Sequence, residues 1–173
     1  FPYTTLFRSS SDQARVSCGF ANVRGMVLNS YQYKTNNEVI TMKFTKMQAF
    51  GNDYVYIDAI HQELKNLPEL ARFVSDRHFA IGSDGMVLIC PSDKGDFRMR
   101  MFNPDGTEGE MCGNALRSVG KYVYDHRLTD KTELVIETLG GMQHLTLTVT
   151  DGYVSNIRAD IGEPRLSTKV IPI

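Results

Sequence analysis

CGNALRSVGKYVYD (112–125), followed after a short connection by TELVIETLGGMQHLTLTVTDGYVSNIRADI (132–161), decides how this chain folds. In the first stretch Leu116, Val119, Gly120 and Val123 recur at i, i+3, i+4 and i+7, so the spacing predicts a helix from about Gly113 to about Asp125 with Cys112 at its N-terminal edge. The second stretch divides into three β-rich runs, 132–139, 142–150 and 153–161, separated by Gly140-Gly141 and Asp151-Gly152, both strong hairpin signals. A helix followed by an antiparallel meander is the pattern of an α+β or mixed-sheet domain, and it argues against a doubly wound nucleotide fold.

The reading extends upstream on the same terms. Residues 43–49 and 54–59 read as short strands about the turn residues Gly51-Asn52-Asp53. Leu67, Leu70, Phe73 and Val74 fall at helical spacing behind Asn66, and Pro68 sits near the first turn, where its missing N–H does no harm, giving a helix over about 68–77. Residues 86–90 read as a buried strand. Residues 97–102 put Phe97, Met99 and Met101 on one face and Arg98 and Arg100 on the other. Asn103-Pro104-Asp105-Gly106 is a turn by composition, and 107–111 is long enough for a brief return strand that would bring this turn near Cys112. The first 41 residues hold no sustained period of 2 or 3.6, so no element is expected in them. They read as an extraneous or disordered leader, with Met42 the natural start. The leader is slightly basic and lacks the apolar core of a secretory signal.

Composition narrows the function. A formal net charge of −1 lacks the one-signed field of a general nucleic-acid or polybasic membrane binder, so neither partner is expected. No run approaches the roughly 18 apolar residues of a membrane helix. Cys18, Cys90 and Cys112 stand far apart with no C-x-x-C pair, which points to reduced thiols in a cytoplasm rather than a disulfide scaffold or zinc ribbon. The four histidines show no paired-ligand spacing. Gly82-Ser83-Asp84-Gly85 is loop-like but lacks the Lys of a phosphate-binding loop.

Cys112 has two readings on position alone. It is a small buried hydrophobe, as most free cysteines are, or a thiol whose ionised form is favoured by the unpartnered amides and positive dipole end of a helix N-terminus. Gly113 allows close backbone approach and Asn114 adds a donor and an acceptor beside the same amides, so the trio could cradle a substrate carboxylate next to a base. Asn52 and Asn103 lie in turns that could reach the same cleft. Cys90, which ends an apolar strand, reads as core.

Four ordered segments carry a resemblance: MKFTKMQAFGNDY (42–54), DRHFAIGSDG (76–85), MFNPDGTE (101–108) and MCGNALR (111–117). Together they resemble the diaminopimelate epimerases over Met42 to about Ile173. The resemblance implies a curved, mixed, mostly antiparallel sheet wrapped around a central helix, as the first of two pseudo-symmetric domains. Residues 42–161 would form that domain, and 162–173 would begin the connection to a second domain that the chain lacks. It further implies interconversion of LL- and meso-diaminopimelate, in lysine and peptidoglycan synthesis, by two cysteines on opposite faces of the α-carbon, with no cofactor or metal. Cys112 matches the first of these cysteines, Gly113 and Asn114 match residues that hold the substrate carboxylate, and Asn52 and Asn103 match substrate-binding asparagines. Gly85 stands where part of the family has a substrate-contacting Gln, and Ser118 where many members have a further Cys, so nothing is carried over at those two positions. No cysteine follows Cys112, so the fragment alone is expected to be inactive. The family is often dimeric. The alternatives are a proline racemase-like isomerase, disfavoured by Asn114 where that group typically has His, and a non-catalytic small-molecule-binding half-domain.

Overall fold

In a computed structural model that describes residues 21–23, 26–35 and 38–160, ten strands and two helices follow one another. They are β1 (Ala21–Val23), β2 (Met26–Thr35), β3 (Glu38–Ala49), β4 (Asn52–Asp58), α1 (Leu67–Ser75), β5 (Met86–Cys90), β6 (Phe97–Phe102), β7 (Glu108–Gly109), α2 (Gly113–Asp125), β8 (Glu133–Thr138), β9 (Gly141–Thr150) and β10 (Tyr153–Asp160). All the strands join one sheet in the order β1-β2-β3-β4-β5-β6-β8-β9-β10, with β7 pairing on β6. Two pairings are parallel, β4 with β5 and β6 with β8; the rest are antiparallel. Parallel neighbours need a crossover, and the two helices supply the crossovers. The α+β class and the mixed, mostly antiparallel sheet curled about a helix are as expected.

The central strands are buried on both faces. Along β4, Tyr54 and Tyr56 face one core while Val55 and Ile57 face the other, and β5 divides Val87 and Ile89 from Met86 and Leu88 in the same way. This period-2 split makes two cores from one sheet. On the concave side α2 contributes Ala115, Leu116, Val119, Tyr122 and Val123, packed against Met99, Ile136, Leu145 and Leu147 among others. At Gly120 a Cβ would stand 2.9 Å from Leu145 Cδ1 and 3.2 Å from Leu147 Cδ2, so the bare backbone lets β9 close over the helix. On the convex side Leu70, Ala71 and Val74 of α1 cover Val55, Ile57, Leu88 and Phe102. Among the described residues no helix is long and apolar enough to cross a membrane.

Three details differ from the sequence-based expectation. The β3–β4 reversal is a two-residue turn at Phe50 and Gly51, both at positive φ (55° and 82°), and Asn52 and Asp53 already belong to β4. Positive φ at both central residues matches the strand twist, which is why so tight a turn forms here. The first helix ends at Ser75 rather than Arg77, because the Asp76 carboxylate accepts the amides of His78 and Phe79 at 2.8 and 3.0 Å and turns the chain out. Finally, strands form before Met42, where none was expected. β2 pairs with β3 from Thr35↔Glu38 to Leu28↔Thr45, and β1 pairs on β2. Without β2 the outer edge of β3 would present unpaired backbone groups, and a segment with the composition MVLNSYQYKT can pair with such an edge without needing a clean alternation. Residues 1–20 and the expected connection at 162–173 lie outside the described residues.

Leu116 is fully buried in the α2 core. Leu116→Ala should lower the unfolding free energy by about 2–5 kcal/mol in urea titration, with little change in slope.

Candidate active site

Cys112 is the N-cap residue of α2, with extended backbone angles (φ −135°, ψ 119°) and its carbonyl accepting the Leu116 amide at 2.8 Å. Its side chain makes no capping bond, so the sulfur is free to turn toward β4. There it accepts from the Tyr54 hydroxyl at 3.8 Å and donates to Asn52 Oδ1 at 3.6 Å. The first-turn amides beside it have no intrahelical acceptor, and around Gly113 a Cβ would meet open space. Amides and dipole therefore face a place that an anion can enter.

Behind Asn52 stands a charged clamp. Asn52 Nδ2 donates to Asp84 Oδ2 at 2.8 Å, and the Asp53 amide donates to the same oxygen at 3.0 Å. Arg77 Nη2 bridges Asp84 Oδ1 at 2.8 Å and Asp53 Oδ1 at 2.6 Å, while Lys46 Nζ reaches Asp53 Oδ2 at 2.9 Å and the Gly82 carbonyl at 2.6 Å. The Arg77 guanidinium holds the Asp53 carboxyl well below the usual carboxylate range, against the opposing effect of burial. A carboxylate only accepts, so the Asn52 amide must present its nitrogen to Asp84 and its oxygen to the sulfur. The loop at residues 82–85 thus anchors the site through Asp84. Gly85 has φ 152°, and a Cβ there would stand 2.3 Å from the Phe102 carbonyl, so this backbone has no room for a side chain at that position.

Of the residues singled out in the sequence, the structure brings together Cys112 and Asn52, with Gly113 and Asn114 in the first turn of α2. Asn114 Oδ1 accepts from Arg117 Nη2 at 2.5 Å, and the Arg117 guanidinium lies 5.3 Å from the centre of the exposed Phe50 ring. Asn103 is bonded within its own turn, Nδ2 donating to Thr107 Oγ1 at 2.9 Å. The short return strand is present as β7, held by the two-pronged Arg100–Glu108 pair. Burial pushes the Cys90 thiol up, in keeping with a core position. Sequence reading missed Tyr54, Asp84 and Arg77. The signal for Tyr54 was available: its hydroxyl sits at a strand position whose alternation turns it inward, toward the helix that Cys112 begins. A groove of about 750 Å³ between β3 and β10, lined by Lys46, Phe50, Arg117, Lys121 and Asn156 among others, adjoins this site.

The fold recurs in solved structures of other proteins. A probable proline racemase from Agrobacterium radiobacter superposes with a TM-score of 0.57 at 15% identity, covering 68% of this chain and 41% of that one. A hydroxyproline epimerase from Agrobacterium vitis superposes with a TM-score of 0.56 at 14% identity, covering 68% and 40%. Sequence identifies the family. The diaminopimelate epimerase family model matches residues 44–167, and the diaminopimelate epimerases of Methanococcus maripaludis strain C5, Agathobacter rectalis and Bacillus velezensis are 59%, 56% and 47% identical over 132, 132 and 135 residues. These alignments cover 76%, 76% and 77% of this chain and 48%, 46% and 48% of the relatives. The chain belongs to the diaminopimelate epimerase family, and it spans about half the length of the curated relatives it matches.

The clamp has a pH signature. Asp53 ionises more readily folded than unfolded, so its stabilisation is complete above the unfolded value near ~4 and is lost as pH falls through the lower folded value. Asp53→Asn should lower the melting temperature at neutral pH and flatten its decline below about pH 4, followed by thermal unfolding at a series of pH values.

Proposed function

We propose that this chain is the first half of an enzyme that interconverts LL- and meso-diaminopimelate, with Cys112 as the acid/base thiol for one face of the α-carbon. The observation that carries this reading is the Cys112 sulfur at the start of α2, between the Asn52 amide and the Tyr54 hydroxyl and beside first-turn amides facing open space. A substrate carboxylate docked on the amides of Gly113 and Asn114 puts the neighbouring carbon within reach of the sulfur. The thiolate then takes the α-proton: an S–H bond forms as the C–H bond breaks, and the electron pair stays on carbon, spread into the carboxylate. Inversion needs a proton from the opposite face. No cysteine follows Cys112 in these 173 residues, so that donor is assigned to the other half of the enzyme. Two thiols suffice for this proton transfer, and the proposal calls for no cofactor. Residues 42–161 are assigned as the epimerase's first domain, and Asn103 as a substrate contact made from its turn.

The test uses the whole gene product, with LL-diaminopimelate as substrate and chiral chromatography as readout. Cys112→Ala should cut turnover by at least about 10²-fold, a conservative allowance for loss of a general base, with the far-UV spectrum unchanged. Retained turnover would overturn the role of Cys112. The 173-residue chain by itself should give no meso product, and stereoinversion by it would show that it needs no second half.

A further inference from the structure

The sulfur of Cys112 is gripped by two groups with opposite demands. Tyr54 Oη donates to it, and a donor favours the thiolate. Asn52 Oδ1 accepts from it, and an acceptor favours the thiol. Both partners are held by neighbours of their own. The Tyr54 ring is buried and set edge-on to Tyr56 at 6.4 Å, and the Asn52 amide is fixed by Asp84, itself held by Arg77. A thiol that merely filled space would need neither partner. A thiol that must act as base and then as acid at one site needs both.

We infer that Tyr54 is a positioning residue for this chemistry: its hydroxyl holds the Cys112 sulfur in line and steadies the thiolate, while the Asp84-oriented Asn52 steadies the thiol. This rests on the reading of Cys112 as an acid/base group. Burial, reinforced by the neighbouring sulfur, pushes the Tyr54 phenol up to about 12, so it remains a donor throughout the neutral range and exchanges no proton of its own there. The other titratable or charged groups about the sulfur are Tyr56 on β4, whose phenol burial also raises, Asp84 on the loop ahead of β5, and on α2 Arg117, which is turned to Asn114 and Phe50. Glu110, two residues before Cys112, is exposed.

Alkylation tests this without substrate. The rate of iodoacetamide modification at Cys112, resolved from Cys18 and Cys90 by peptide mass spectrometry, is measured against pH for the chain and for Tyr54→Phe, which removes one oxygen and keeps the ring. The midpoint should move to higher pH in the variant, leaving modification at pH 7 about threefold to tenfold slower, as expected for one lost hydrogen bond to a charged sulfur. Superimposable profiles would overturn the inference. Should the variant not fold, the unsubstituted chain carrying ¹³Cζ-tyrosine gives the answer. The Tyr54 resonance should shift with an inflection at the Cys112 midpoint and lose it after alkylation, whereas a signal flat through that titration refutes the contact. Because neither measurement uses substrate, a negative result here leaves the epimerase reading standing, and a failed turnover assay leaves this result standing.

Discussion

Helix α2 lies in the hollow of a sheet that curls around it, and this wrapping is the constraint from which the site follows. Leu116, Val119 and Val123 point into the curl, and the missing side chain at Gly120 lets Leu145 and Leu147 come down onto the backbone. The apolar stripe fixes the rotation of the helix about its axis, and Gly120 sets how deeply it is seated. With both fixed, the direction in which the first turn opens is no longer free. Cys112 therefore meets β4 at Tyr54 and Asn52, because those residues lie where the helix begins.

A second layer of order lies outside the apolar core. The Lys46–Asp53–Arg77–Asp84 clamp joins β3, β4, the end of α1 and the loop ahead of β5. Its members are partly exposed, so it adds only modestly to global stability, chiefly through the more buried Asp53. Its second effect is local: it selects one of the two orientations that an asparagine amide could adopt beside the sulfur. Most of the stability thus comes from α2 and its core, and the chemical orientation from charges at the rim.

Much of this was legible in the residues. The 3.6-residue period of α2, the two hairpin signals after it and the alternation of Phe97, Met99 and Met101 all appear in the fold, because each is a repeat that one buried face imposes on many residues at once. What escaped depends on single positions or distant partners. Phe50 is bulky and ordinarily avoids positive φ, so the composition pointed to Gly51-Asn52-Asp53 instead, and only the pairing Ala49↔Asn52 shows where the turn lies. β2 is half polar and borrows its order from the edge of β3. Asp84 and Arg77 sit in a stretch whose glycines announce a loop, and nothing local says that the loop reaches back to Asn52. Among the candidate site residues, Cys112 and Asn52 meet, while the Asn103 side chain is held by Thr107.

The two parallel pairings carry a consequence for how the molecule is made. The hairpins β3–β4, β8–β9 and β9–β10 close over a few residues, but β4 with β5 and β6 with β8 must wait until a whole helical crossover has been laid across the sheet. Such long closures are slow compared with local turns. Cys112 lies inside the second of them, between β6 and β8, so its surroundings are completed by one of the slow steps of folding. Until then the sulfur is an ordinary thiol, without the hydroxyl and amide that later flank it and open to any oxidant in its surroundings. The chain thus exposes its most distinctive atom until its fold is complete, and a reducing environment during synthesis would guard the thiol before the fold encloses it.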